Sequence, residues 1–342
     1  MNENKNLIQR IFTIPRLVLL LGGIAILFIP GNMSTANVTM VSRIMIFAVY
    51  AMAYDILRGY IGVIHLGFAL FIGGGAYFVG ILFTQFGSGI PMLLLAVVGV
   101  SIYSAIWALL VGKISGKSGL LATAMITMAF AEIVRTTMER WRTVTNGTDG
   151  LTFRAPAPFD DRTFMFYASF AFMIIMAIIL YKFTTSPTGR VWQAVRENEH
   201  RAIFLGYDTN KARTIALLVA GIAGGLAGVM FGLLNRFVNT DLLAMQMTFN
   251  AMLYSLLGGA GTLFGAIVGS TVVILFQNLL LDLRSVHFIF ERWLLFFGAL
   301  YIVVVLFMPQ GIMGFYNTWM ENRKHKKRIR TGSGKGQGQK LQ

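Results

Sequence analysis

The chain has 342 residues, 56% of them hydrophobic and only 13% charged. A soluble domain is close to half apolar and a quarter charged, so lipid is the solvent for most of this sequence. The net charge is +15, and the absence of cysteine excludes disulfides, thiolate chemistry and cysteine-based metal sites. The 37 glycines suit helices that pack closely in a membrane. A transmembrane barrel would need segments of about ten residues with alternating polarity. The apolar runs here, such as 171–180 and 300–308, are continuous.

A spanning helix takes about twenty apolar residues, fewer where it is short or broken. In chain order, spans are expected at 17–30, 38–57, 61–84, 90–112, 119–138, 163–182, 213–234, 245–258, 262–281 and 289–308. The first follows Lys5, Arg10 and Arg16 as a secretory signal would, but no small-x-small cleavage site precedes Gly31, which favours an uncleaved anchor. With both termini in the cytoplasm, 20 of the 29 basic residues fall in cytoplasmic segments and 6 outside, the asymmetry of the positive-inside rule. The same rule splits 245–281 at Gly258, Gly259, Ala260 and Gly261, because one long pass would put the basic tail outside. The expected fold is therefore an all-α integral membrane protein of about ten transmembrane helices, some short or broken.

Three segments lie outside the spans. The outer loop 139–162 balances four acids with four bases and reads as an ordered external loop. The tail 321–342 is basic and then rich in Gly, Ser and Gln, which predicts disorder. It serves either as a topology anchor, the reading the charge bias favours, or as an anionic-lipid contact. The remaining segment, 183–212, is the large cytoplasmic loop.

Ionisable groups inside spans are costly and mark pathways by default. Asp55 and His65 sit near the cytoplasmic ends of the second and third spans, where they either snorkel or line a path. Glu132 lies more than halfway across the fifth span with Arg135 one turn on, which reads first as a local ion pair and second as a substrate contact. Arg43 reaches for headgroups. Gly73, Gly74 and Gly75 in the first half, and Gly258, Gly259 and Gly261 in the second, interrupt their spans and are candidate pore markers. Close helix packing is the competing reading, and the one adopted for the small-residue stripe 221–228. The four histidines (His65, His200, His287 and His325) have no metal-ligand spacing, and no paired intramembrane carboxylates suggest acid–base catalysis.

The loop 183–212 carries the most information. Pro187 and Gly189 punctuate its start. From Arg190 the positions Val191, Ala194, Val195, Ala202 and Leu205 keep near-helical spacing, broken by Arg196, Glu197, Asn198 and Glu199, and Gly206 turns the chain. A helix lying on lipid would segregate its bases on one face. This one mixes acids and bases, which favours a cytoplasmic protein partner.

Thr188, Gly189, Arg190, Ala194, Arg196, Glu197, Asn198, Glu199, Ala202, Leu205 and Gly206, at these spacings, resemble the coupling loop of permease subunits in branched-chain amino-acid ABC importers, the LivM/LivH type. The resemblance extends to four further stretches, at Thr127 to Ile133, Thr145 to Leu151, Ala220 to Gly228 and Leu256 to Gly265, and to the terminal Met308, Pro309, Gln310, Gly311, Ile312 and Gly314. The early stretch departs from the family pattern: Asp55 stands where Asn is usual, His65 where Ser is, and Phe68 where His or Gln is.

The resemblance implies one permease domain over 1–320 in the cell (inner or plasma) membrane. It implies a second permease, identical or not, two cytoplasmic ATPase subunits docked on 183–212, and an extracytoplasmic solute-binding protein. The solute would be a branched-chain or related amino acid, or a urea- or amide-type compound. The chain has no phosphate-binding Gly-x-x-x-x-Gly-Lys motif, so ATP and Mg²⁺ would be bound by the partners and no cofactor by this chain. Lipid is a partner; nucleic acid is not, because the basic residues follow topology. An ion-coupled secondary transporter is the alternative, which the sparse intramembrane charge disfavours.

Overall fold

The computed structural model describes residues 34–115, 119–283, Phe296, Gly298, Ile302, Leu306 and 311–314. The expected spans 17–30 and 289–308 and the tail 321–342 lie outside the described residues, apart from the isolated positions just given.

Among the described residues, seven helices are long and apolar enough to cross a membrane. Helix α1 (Thr35–Asp55) starts at Ser34, whose side chain accepts from the backbone N–H of Asn37, and runs into a π-helical turn, Ile56–Tyr60. After an irregular stretch come α2 (Ala69–Phe86), α3 (Ile90–Ser115) and α4 (Leu120–Arg140). Two short helices, α5 (Arg142–Thr145) and α6 (Ala157–Asp160), lie in the following loop and lead to α7 (Arg162–Thr185). Helices α8 (Pro187–Glu197) and α9 (Glu199–Phe204) precede α10 (Thr209–Asn235), and α11 (Met245–Gly258) and α12 (Leu263–Leu283) close the described part.

Helix α1 is the axis. From Ile44 to Asp55 every side chain is buried, and α7, α10, α11 and α12 surround it. Helix α10 carries its small residues on the face turned to α2 and α3. Lipid gives apolar side chains no reason to leave it, so helices associate through close van der Waals contact. A methyl group added at Gly75 would strike the carbonyl oxygen of Gly225, and one at Gly228 would strike that of Ile72. The packing reading of 221–228 accounts for these contacts. It also accounts for Gly73, Gly74 and Gly75: α2 runs unbroken through them, with Gly73 against Leu243, Gly74 against the Tyr103 ring and Gly75 against α10.

The interruption expected at 72–76 instead lies earlier, at 61–68, so the third span begins at Ala69 rather than at 61. The break is stable because its backbone donors find side chains. Leu66 N–H donates to Thr127 Oγ1 at 3.1 Å and Ala69 N–H to Thr248 Oγ1 at 2.8 Å. The second expected interruption is present. Helix α11 stops at Gly258, and Gly259 (φ 117°) and Gly261 (φ 84°) reverse the chain into α12. Such φ values strain any residue with a Cβ. At 14 residues α11 is about 21 Å long, short of a full span.

The loop after α4 is ordered. Leu151–Thr152 (β1) pairs antiparallel with Phe237–Val238 (β2), the one strand pairing among the described residues. Arg236, in the left-handed region at φ 55°, pins the loop by an ion pair with Asp160 at 2.8 Å.

The α2–α10 contact gives a test. Replacing Gly75 with Ala should cost about 1–3 kcal/mol through overpacking and lower the melting temperature in detergent, whereas Ala at the open Gly87 should not act by overpacking.

Candidate functional site

The loop between α7 and α10 is a braced element. Ser186 caps α8 by accepting from Gly189 N–H at 3.3 Å, and Pro187 sits at the first helical turn, where its missing N–H costs nothing. Gly189 lies against the Thr184 carbonyl, with no room for a side chain. Trp192 is fully buried and donates from Nε1 to the Ala212 carbonyl at 3.0 Å, fastening α8 to α10. Asn198 caps α9 through Arg201 N–H at 2.9 Å, and Glu199 pairs with Arg213 of α10 at 2.7 Å. Asp208 caps α10. The Lys211 backbone and side chain hold its carboxyl below the usual carboxylate range. Ala194 is half-buried, and Arg190 and Glu197 face solvent.

This framework presents an apolar tip. Phe204 is 90% exposed and Leu205 70%, and Ile203 and Tyr207 are also exposed. Gly206 follows at φ 87° with open space around it, so glycine is there for the backbone turn alone. Leu205, placed by its spacing on the apolar face of the loop helix, thus belongs to the exposed tip. Ile203, Phe204 and Tyr207 were missed in the sequence. Their signal was an uninterrupted Ile203, Phe204, Leu205 run, where a helix bound only to its own protein would turn polar.

Arg196 faces the other way. Its Nη1 donates to the Gly59 carbonyl, and its side chain packs on Gly62 and beside Gly261. This is the centre of a junction. Asp55 Oδ1 accepts from Ser255 Oγ at 2.6 Å and from Gly261 N–H at 3.0 Å, and Gly59 is pressed between Asp55 and Gly261. Gly311 (φ 72°) packs on the Gly259 backbone. Four stretches far apart in sequence therefore meet at one point: the π-helical end of α1, Arg196 of the loop, the α11–α12 turn and the terminal glycine motif. Asp55 is buried and hydrogen-bonded across the bundle, so neither the snorkelling nor the path-lining expectation describes it.

His65 also does not snorkel. It is buried in the 61–68 break beside a cavity of about 10 Å³ lined in part by Thr127, Leu70 and Leu217, too small for a solute. Glu132 and Arg135 form the expected ion pair, with Oε2 to Nε at 3.0 Å, on an exposed face of α4. Among the described residues, no group of three His, Asp or Glu side chains is placed to hold a metal.

Seven helices able to cross a membrane, joined in part by a braced loop ending in an apolar tip, make this a multi-pass membrane protein. The chain belongs to the family described as the branched-chain amino acid transport system / permease component, whose model matches residues 37–306. It is 22% identical over 333 residues to the high-affinity branched-chain amino acid transport system permease protein LivM of Escherichia coli (strain K12), covering 89% of this chain and 75% of that one. It is 28% identical over 147 residues to the corresponding LivH of the same strain, 42% of this chain and 44% of that one. A shorter match, 33% over 103 residues, is to the autoinducer 2 import system permease protein LsrC of Photorhabdus laumondii subsp. laumondii, 29% of this chain and 31% of that one. No solved structure matches the chain.

The junction predicts a graded response. Asp55→Ala strands the Ser255 hydroxyl and the Gly261 N–H and should cost about 1–3 kcal/mol, read as a lower melting temperature of the purified chain. Asp55→Asn keeps an acceptor and should cost clearly less.

Proposed function

We propose that this chain is the membrane-spanning permease subunit of an ATP-binding-cassette importer for a branched-chain or related amino acid. In this reading it crosses the inner membrane about ten times with both termini in the cytoplasm. It pairs with a second permease and receives solute from an extracytoplasmic binding protein. Two ATPase subunits, which carry the ATP and Mg²⁺, dock on 183–212.

The observation that carries the reading is the apolar tip at Ile203, Phe204, Leu205 and Tyr207 on an otherwise polar, rigidly fastened loop. Contiguous exposed apolar surface on a polar background marks a docking site. Burying a Phe or Leu side chain is worth about 1.5–3 kcal/mol each, so a complementary ATPase groove would gain most of its affinity here. The same loop reaches inward through Arg196 to the Gly59 carbonyl and the α11–α12 turn. A displacement of α8 and α9 by the ATPases would then move the end of α1 and the α11–α12 turn together. The amino-acid substrate follows from the relatives' named substrates. The similarity to the LsrC chain keeps a different small polar solute as the second reading.

The test is purification of the complex in detergent, followed by uptake into proteoliposomes. Phe204→Ser should reduce recovery of the ATPase subunits about tenfold or more while the chain stays folded. Arg196→Glu should keep the ATPases bound and their activity high while uptake falls. Uptake driven by an ion gradient without ATPases would put the secondary carrier in its place.

A further inference from the structure

We propose that the cleft where α7 and α12 pack against the end of α1 away from the 183–212 loop is a binding site for an anionic phosphate group, held between the guanidinium groups of Arg43 and Arg162. A phospholipid headgroup and free phosphate share that chemistry, and the surroundings favour the lipid. The site does not depend on which solute crosses.

Place comes first. The π-helical end of α1 and the turn into α12 meet Arg196 of the loop, and α7 runs into the loop at Thr185. Thr35, Arg162 and Leu283 therefore mark the opposite ends of these three helices, toward the other membrane surface. Arg162 opens α7, Arg43 leaves α1 about 12 Å from its start, and Asn278 leaves α12 about 8 Å from its last residue. Side chains on a helix lean toward its N-terminus, which carries the Arg43 guanidinium outward to the headgroups.

Charge comes second. The cleft is lined by arginines from two different helices, with no acid in its lining among the described residues. Neither arginine forms an ion pair among the described residues. The acids just before Arg162 are engaged elsewhere. Asp160 pairs with Arg236 at 2.8 Å, and Asp161 accepts from the backbone N–H groups of Thr163 and Phe164. Even counting Asp161, the two arginines leave one positive charge in excess. A cation at the edge of the hydrocarbon is costly without a counter-charge, and two that line one cleft call for a shared anion. The guanidinium fork matches the oxygens of a phosphate.

Geometry comes third. Thr35, Thr39 and Arg43 recur every four residues and so share one face of α1. Thr39 Oγ1 donates to the Thr35 carbonyl at 2.9 Å and accepts from Arg162 Nη1 at 2.7 Å. That fixes the Arg162 guanidinium and leaves most of its N–H donors free. The Thr35 hydroxyl is a further donor. Asn278 donates its amide to the Ile274 carbonyl at 2.8 Å, which leaves its own carbonyl oxygen for a headgroup hydroxyl. The cleft is about 280 Å³, room for a phosphate and the glycerol beside it. One turn deeper on the Asn278 face of α12, Leu275 is exposed where an acyl chain would lie, and this favours a lipid over free phosphate.

The test uses the purified full chain in detergent, stripped of lipid and given phosphatidylglycerol, phosphatidylcholine or inorganic phosphate in turn. Lipid bound per chain is read by native mass spectrometry, with the melting temperature followed in parallel. Phosphatidylglycerol should bind at least about tenfold more tightly than phosphatidylcholine, whose choline cation would meet the arginines. Arg43→Gln and Arg162→Gln together should remove that preference. Inorganic phosphate that raises the melting temperature of the chain but not of the paired variant would support the site and make a free anion its occupant. Equal binding of the two lipids with no effect of phosphate would overturn the site, as would a phosphatidylglycerol preference that survives in the paired variant. If the paired variant does not fold, Arg43→Gln decides alone, since no hydrogen bond among the described residues depends on that side chain. It should lower the phosphatidylglycerol affinity, and an unchanged affinity would overturn the site.

Discussion

A carboxyl group buried in a membrane protein must be handed hydrogen-bond donors by its own chain, because neither water nor lipid will supply them. Asp55 is fully buried at the end of the central helix, and an intact helix nearby would have no free backbone N–H to offer. The donors exist because α11 and α12 are separate. The turn between them frees the Gly261 N–H, and Ser255 on the last turn of α11 adds a hydroxyl. The α1 side yields as well, loosening into a π-helical turn whose Gly59 lets the α11–α12 turn approach. The irregularities of α1 and α11–α12 are thus one feature seen from two sides.

The remaining order follows from how little lipid favours helix association. Contacts have to be close to be stable, so the α2–α10 seam is built where a carbonyl of one helix meets a glycine of the other. Where α2 must begin within the bundle, Thr248 takes up its first N–H, and Thr127 holds the chain just before it. Polar side chains spent on backbone donors in this way are what allow a non-helical stretch at 61–68 to sit inside a membrane-spanning body.

These rules explain which features could be read from the sequence. Apolar runs placed the described spans to within a few residues, except for the start of the third at Ala69 rather than 61, because length and hydropathy are properties of a segment by itself. The Gly258 to Gly261 break was readable since two glycines in a chain reversal leave a dense local cluster. The same density at Gly73 to Gly75 misled, because packing against Leu243, Tyr103 and Gly225 uses glycine for space rather than for backbone freedom. Only the partners distinguish the two, and they are about 30 to 170 residues away in sequence. The true break at 61–68 lacks such a cluster, since threonines on other helices sustain it. Asp55 was misread for the same reason: its donors lie some 200 residues further on. In the loop, Arg196 and Leu205 fall in one sequence pattern but differ in what they meet, one lying on the Gly59 carbonyl and one free of the bundle.

That division of labour bears on the proposed coupling. A lever transmits motion only if its arm is stiffer than its load. Trp192 on the Ala212 carbonyl, Glu199 on Arg213 and three side-chain caps make α8, α9 and the start of α10 the stiff part. The α11–α12 turn adjoins Arg196 and donates the Gly261 N–H to the Asp55 carboxylate. A force on Phe204 would therefore be carried to the Arg196–Gly59 contact, where the end of α1 meets the α11–α12 turn.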